Sequence, residues 1–336
     1  MAFHQLIDWF HQNKRELPFR ETSSPYEIWV SEIMLQQTQV ATMLPYFKKF
    51  IHKYPNVLSL ADAPLEEVLT YVTGIGYYRR FKLMHQAAKM IRDTYQGIFP
   101  TTYEDVRSLP GVGLYTAGAI MSIAYKKPYS ALDGNVMRVL TRVYEISDDI
   151  RLGKTQKKLN QLNQSLIEQS TPDIYTHAMM ELGATVCKPK NPMCESCPLR
   201  DICQSYSNQT MMKYPLKSSL GHKKEYQFFT LLLTKGEHIA IKKETSSLYE
   251  GMYLFPQFDL ESISALENNV LSNMSYQIID TFDQIKHVFT HQIWLMTPVH
   301  IEVKDDTMED VIWVNRKDLS SYPMPKSHLK VYQFLK

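Results

Sequence analysis

The only cysteines of the 336-residue chain, Cys187, Cys194, Cys197 and Cys203, fall within seventeen consecutive positions at the spacing C-x6-C-x2-C-x5-C. Four thiols so concentrated must converge on one loop, and no other feature constrains the fold as tightly. The chain opens without a secretory signal, so its thiols are expected to stay reduced and to bind a metal rather than to pair as two disulfides. Zinc ribbons join two short C-x2-C knuckles across a longer gap. Here a single C-x2-C is flanked by lone cysteines at unequal distances, which suits a [4Fe–4S] cube better and leaves zinc as the alternative.

The chain is long enough for two domains, each with its own core, and its 44% apolar content is that of an ordinary globular protein. No apolar run reaches membrane-spanning length, and the opening MAFHQLIDWFHQNKRELPFR reads as an amphipathic helix carrying acids. A cytoplasmic location, with the nucleoid, is therefore expected, with no membrane partner and a monomeric chain. The net charge of +2 is unevenly spread: residues 1–205 carry 23 Lys and Arg against 20 Asp and Glu, residues 206–224 carry four lysines and no acid, and the remainder carries 10 against 15. A basic first part and linker are compatible with nucleic-acid binding, although surface variation alone gives such numbers often.

Composition also changes near residue 205. Before it, apolar residues recur at helical spacing, as in Ile28, Trp29, Ile33 and Leu35 or Val136, Val139, Leu140 and Val143. Residues 1–205 thus read as an all-α domain. After a polar linker over 206–224, the runs FFTLLLT, HIAIKK, HQIWLMTPVHIEV and DVIWVN predict a mixed α/β domain over 225–336.

Three elements of the helical part carry chemistry. The segment Leu109 to Gly118 joins two apolar-periodic stretches and reads as a helix-hairpin-helix. Thr101 and Glu104 form a candidate capping box for its first helix, and Gly111 and Gly113 allow a tight turn whose bare N–H groups can approach a phosphate. Glu32 is an acid set among helix-forming apolar residues, and Asp133 opens Leu132-Asp133-Gly134-Asn135-Val136, where Asn135 can cap the following helix. A raised-pKa Glu that protonates a leaving base, with an ionised Asp that stabilises a sugar cation, would divide the labour of cleaving an N-glycosidic bond. Taken alone, each acid is better explained as a solvated helix residue or a turn residue.

The strings LPFR, PYEIWVSEIMLQQTQV, GIGYYRR, LPGVGLYTAGAI, LDGNVMRVLTRVY and MELGATVC, in that order and ending at the four cysteines, resemble the helix-hairpin-helix DNA glycosylases with an iron–sulfur loop. More closely they resemble the MutY-type adenine DNA glycosylases. The resemblance implies two helical subdomains with a DNA-binding cleft, the N-terminal helix returning to the cluster-bearing half, and a [4Fe–4S] cluster on the four cysteines. It implies that Glu32 protonates adenine and that Asp133 stabilises the oxocarbenium ion. Tyr115 and Asn135 are then orienting partners, Arg20 and Leu35 line the adenine pocket, and Gln37 and Thr38 act as wedge residues. Ile75 and Tyr77 belong to a loop that inserts beside the orphaned partner base. Phe19 and His177 depart from the family pattern, which has Trp at the first position and Gln or Glu at the second.

Relatives that also cleave the strand carry a Schiff-base lysine where this chain has Tyr115, so the resemblance implies a monofunctional hydrolase. Residues 225–336 resemble the Nudix-like C-terminal domain of the same family through Gly251 to Pro256 and Phe289-Thr290-His291, without the catalytic Nudix box. Thr290 and His291 are expected at 8-oxoguanine opposite the target adenine. The implied partner is double-stranded DNA containing A opposite 8-oxoguanine or G, and the alternatives are an endonuclease III-like lyase or a non-catalytic DNA-binding module.

Overall fold

The computed structural model describes residues 2–218, 222–245, 248–304 and 308–335. The chain divides into two compact units, residues 1–61 with 86–220 and residues 62–85 with 221–336. The segment 62–85 thus packs with the C-terminal sheet although the helical domain surrounds it in sequence. The α-helices up to residue 185 are, in chain order, α1 (Ala2–Asn13), α2 (Pro25–Leu35), α3 (Val40–Lys53), α4 (Val57–Asp62), α5 (Leu65–Tyr71), α6 (Arg79–Thr94), α7 (Tyr103–Ser108), α8 (Leu114–Ile123), α9 (Gly134–Val143), α10 (Gly153–Ile167) and α11 (Pro172–Thr185).

In the helical unit, α2 starts where the Ser24 hydroxyl accepts from the Glu27 N–H and Pro25 pre-sets the first turn. From Ile28 to Met34 every side chain is buried, so this stretch of the helix has no solvated face. α8 is equally enclosed from Thr116 to Ile123. A core of Leu6 and Phe10 from α1, Val136, Val139, Leu140 and Val143 from α9, and Ala178, Met179 and Leu182 from α11 carries Cys187, Cys197 and Cys203 on its border. The predicted return of the N-terminal helix to the cysteine-bearing half is therefore present, through burial of one apolar stripe.

Two predicted caps fall elsewhere. Thr102, not Thr101, caps α7, its hydroxyl accepting from the Asp105 N–H at 3.2 Å. Asp133, not Asn135, caps α9, its Oδ1 accepting from the Val136 N–H at 2.7 Å.

In the other unit the strands are β1 (Lys224–Lys235), β2 (His238–Lys243), β3 (Tyr253–Leu254), β4 (Gln257–Phe258), β5 (Tyr276–Thr281), β6 (Ile285–Val288), β7 (Gln292–Val303) and β8 (Ile312–Asn315). They form a mixed sheet of order β3-β2-β1-β7-β5, with β1 and β7 parallel and in register from Lys224 opposite Gln292 to Thr234 opposite Glu302. Leu231, Leu233, Val299 and Ile301 from this central pair bury one face against Leu266 and Leu271. β6 and β7 are antiparallel, with Val288 opposite Ile293, so Phe289 to Gln292 is forced into a tight turn.

Candidate active site

Glu32 sits on the closed face of α2 and is 4% exposed. Its Oε2 accepts the hydroxyl of Tyr115, from the first turn of α8. Burial raises the Glu32 carboxyl to about 7, a rise that the Tyr115 hydrogen bond and the nearby Arg20 reduce and the nearby Asp133 reinforces. Near neutrality this acid still holds a transferable proton.

Asp133 lies at the N-terminus of α9, where the helix dipole and the Val136 N–H favour its charged form. Its Oδ2 also accepts from Asn135 Nδ2 at 2.8 Å. Burial raises the Asp133 carboxyl, while the bonds from Val136 and Asn135 and the nearby Arg138 work against that rise. Asn135 is itself fixed, because its Oδ1 accepts from Arg138 Nη2 at 2.7 Å. The Arg138 guanidinium spans further, from the Gly183 carbonyl at 2.8 Å to the Cys187 carbonyl at 2.8 Å. One arginine therefore ties the Asn135–Asp133 pair to the backbone of the first cysteine.

Two glycines let these elements close together. A Cβ on Gly118 of α8 would stand 2.0 Å from the Ser130 carbonyl oxygen, and one on Gly183 of α11 would stand 2.6 Å from Asn135 Cβ. Both close contacts are to the chain just before Asp133 or just after it, so the helices grip the carboxylate's loop from two sides.

Arg20 is the second cation of the site. Its Nη2 donates to Glu181 Oε2 at 2.6 Å, and Arg15 donates to the same carboxylate through Nε at 2.7 Å and Nη2 at 2.8 Å. Burial alone would raise Glu181, but the bonds from the two arginines outweigh it and hold the carboxyl near 2. The Arg20 guanidinium lies 5.8 Å from the centroid of Phe10, which in turn stacks on His177 at 6.3 Å. Burial, with Arg20 beside it, lowers the His177 imidazole to about 4, so the ring is neutral and offers one donor and one acceptor. Neither Glu181 nor Arg138 was identified from the sequence. The available signal was an acid on the buried face of α11 among Ala178, Met179 and Leu182, which demands a cationic partner.

The other expected residues divide between the two units. Leu35 ends α2, and Gln37 follows it exposed in the left-handed region, with a φ of 58°, while the Thr38 N–H returns to the Leu35 carbonyl. Gly111 takes a φ of 78°, and Gly113 caps α8 without a side chain, with nothing within 4 Å of where a Cβ would stand. The first N–H groups of α8 are thus open to an anion. Ile75 and Tyr77 belong to the other unit, in a loop where Gly74, Gly76 and Tyr77 all have positive φ and Tyr77 is 54% exposed. Thr290 and His291 also belong there, exposed in the β6–β7 turn.

All four thiols are free, and they line one pocket with Val139, Arg142 and Leu182. Among the described residues no three His, Cys, Asp or Glu side chains stand close enough to hold a single ion. Four soft thiols on the wall of one pocket are nevertheless a donor set that suits a thiophilic metal group. Burial pushes the Cys197 thiol up to about 12, so a thiolate there needs the compensation that coordination gives. Buried Arg142 adds positive charge, with Nη1 3.4 Å from Cys187 Sγ and 2.7 Å from the Lys188 carbonyl.

Residues 30–169 match the profile of the HhH-GPD superfamily base excision DNA repair proteins, and residues 228–333 match the NUDIX domain. The adenine DNA glycosylase of Buchnera aphidicola subsp. Baizongia pistaciae is 32% identical over 350 residues, covering 100% of this chain and 97% of its own. That of Mus musculus is 42% identical over 210 residues, covering 60% of this chain and 41% of its own. Among solved structures, a thermostable thymine-DNA glycosylase is 27% identical with a TM-score of 0.56, covering 61% of this chain and 94% of its own. A trapped endonuclease III–DNA covalent intermediate is 26% identical with a TM-score of 0.54, covering 62% of this chain and 95% of its own. Among the described residues no helix is long and apolar enough to cross a membrane.

Proposed function

Because the chain belongs to the adenine DNA glycosylase family, we propose that it hydrolyses the N-glycosidic bond of adenine mispaired with 8-oxoguanine or guanine in double-stranded DNA. The observation that carries this reading is the buried Glu32, which keeps a proton up to about pH 7 while a second carboxylate, Asp133, stands at a helix N-terminus.

Glu32 gives its proton to N7 of the flipped adenine. The C1′–N9 bond breaks with its electron pair going to the base, which leaves neutral. The Asp133 carboxylate, oriented by Asn135, stabilises the sugar cation, and Tyr115 holds the Glu32 carboxyl at the correct angle. Water adds at C1′, and its proton returns to Glu32. Tyr115 cannot form an imine, so no strand cleavage is built into this cycle.

Around this centre, Arg20 and Leu35 line the adenine pocket, with neutral His177 beside them. Gln37 and Thr38 fill the gap in the stack, and the Gly111–Gly113 turn offers its N–H groups to a phosphate. Cys187, Cys194, Cys197 and Cys203 hold a [4Fe–4S] cluster, which when bound keeps the loop shaped so that exposed Lys188 and Lys190 meet phosphates. Ile75 and Tyr77 approach the partner strand, and Thr290 and His291 read its 8-oxoguanine. Residues 1–205 are the glycosylase domain, 206–224 the linker and 225–336 the Nudix-like lesion reader, in a monomeric chain of the cytoplasm.

The test is single-turnover excision from duplexes carrying A opposite 8-oxoguanine, A opposite G, or thymine glycol, with borohydride added to trap any imine. Excision from the two adenine mispairs without trapping is the expected result. Trapping on thymine glycol would instead identify an endonuclease III-like lyase.

A further inference from the structure

Two exposed segments of the sheet-bearing unit, the Gly74–Tyr77 loop and the Phe289–Gln292 turn, are each anchored by an aromatic residue adjacent in sequence to a proposed reading residue. Tyr77, 54% exposed, is followed by buried Tyr78, whose hydroxyl accepts the Gly74 N–H at 2.9 Å and so closes the Gly74–Tyr77 loop on itself. Thr290, exposed, is preceded by Phe289, whose N–H bonds the Gln292 carbonyl at 2.8 Å and whose ring lies 5.0 Å from Trp294.

The Tyr249 side chain touches both anchors. The buried Tyr249 ring is 6.4 Å from Tyr78, 6.0 Å from Phe289 and 5.7 Å from Trp294, and its hydroxyl lies 3.2 Å from Ser327 Oγ. The same ends of the chain are clamped nearby. Lys82 pairs with Glu250 at 2.5 Å, and Glu66 takes Lys243 at 3.0 Å and the Tyr253 hydroxyl at 2.9 Å. Segment 62–85 is therefore fastened to the sheet by polar contacts at its flanks and by ring packing at its centre.

We propose that Tyr249 is a positioning residue for opposite-base discrimination, packing the Gly74–Tyr77 loop and the Phe289–Gln292 turn into one reading surface. The proposal rests on the reading that Thr290 and His291 contact the oxidised base. A lesion that shifts the turn moves Phe289, and close-packed rings transmit that displacement through Tyr249 to Tyr78 and hence to the loop. The loop beside the orphaned base thereby registers which base stands there.

The experiment compares single-turnover excision from A opposite 8-oxoguanine with that from A opposite G, for the wild type, Tyr249→Phe, Tyr249→Leu, Tyr249→Ala, and the double replacement of Thr290 and His291 by Ala. The ratio of the two rates is expected to stay within about twofold in Tyr249→Phe, which keeps the ring, and to fall roughly tenfold in Tyr249→Ala. Tyr249→Leu keeps most of the volume but no flat ring, and it is expected to lower the ratio even if the Ala variant fails to fold. An unchanged ratio in Tyr249→Leu, or both rates slowed equally, overturns the proposal. If the Thr290/His291 variant loses the ratio while Tyr249→Leu keeps it, the coupling alone is wrong. If the Thr290/His291 variant keeps the wild-type ratio, the lesion reading fails and the coupling falls with it.

Discussion

Glu32 and the Thr290–His291 pair show how differently two parts of one chain are built for the roles proposed for them. Glu32 is 4% exposed, bonded by a phenol and pushed to about 7 by its surroundings, so its chemistry is written in the environment that the fold imposes. Thr290 and His291 stand exposed in a turn closed by a backbone hydrogen bond, and in the role proposed for them what they do depends on the base they meet. A catalytic group needs a perturbed proton affinity, which only burial and neighbours supply. A reader needs access and a rigid mount, which here come from the strands and rings behind it.

The sharpest way to break the contrast is Glu32→Gln, which preserves shape and removes the proton. Excision from both mispairs should fall by at least about a thousandfold while mispair binding persists, and Asp133→Asn should also slow both severely. The buried acid carries a stability cost as well. Its folded pKa of about 7 lies above the ordinary 4.5, so the folded state binds more protons and stability falls as pH rises from about 4.5 to 7. Glu32→Gln should therefore match the wild type below pH 4.5 and exceed it above pH 7 by on the order of 3 kcal/mol, read from urea unfolding at the two pH values.

Next in size is Gly183→Ala, whose added Cβ would press on Asn135. A displacement near 1 Å at the orienting residue should cost on the order of a hundredfold in the excision rate on both mispairs alike. A variant with the wild-type rate would mean that Asn135 does not orient Asp133.

Glu181→Gln strips Arg15 and Arg20 of their shared carboxylate and should destabilise by on the order of 3 kcal/mol at neutral pH. Glu181 is held near 2, below the ordinary 4.5, so its contribution is present above pH 4.5 and lost as pH falls towards 2. The wild-type advantage in thermal unfolding should shrink across that window, and a constant gap would rule out the charge as its source. The smallest expected effect is at exposed Lys188, where replacement by Ala should reduce the slope of log binding constant against log salt by about one for every duplex sequence.

Much of the helical unit was legible because its signals are local. The cysteine spacing, the apolar stripe of α9 and the L-P-G-x-G turn each lie within a few residues. The errors were also local and have physical causes. Thr101 with Glu104 and Thr102 with Asp105 satisfy the same capping pattern one residue apart, and long-range contacts select the second. The Tyr95 hydroxyl bonds Asp105, and Lys127 takes the Thr101 carbonyl. Asp133 rather than Asn135 caps α9 because the helix already starts at Gly134, which puts Asn135 inside the first turn and leaves the Asp133 carboxylate to take the Val136 N–H. The allegiance of residues 62–85 to the sheet was invisible, since Glu66, Tyr78 and Lys82 follow no periodicity that names partners more than 160 positions away. One consequence is practical. Ending the chain near residue 220 would strip these partners from 62–85, so point changes in the turn separate reading from catalysis more cleanly than truncation.

The division of labour between the two regions is tested most directly by measuring single-turnover excision on both adenine mispairs for the Thr290/His291 double-Ala protein beside the wild type. With Glu32 and Asp133 untouched, excision from A opposite G should change little. Excision from A opposite 8-oxoguanine should slow by the equivalent of about 1 to 3 kcal/mol, roughly five- to 150-fold. Equal slowing of both substrates would contradict the division and make the second unit a general clamp or a stabilising element.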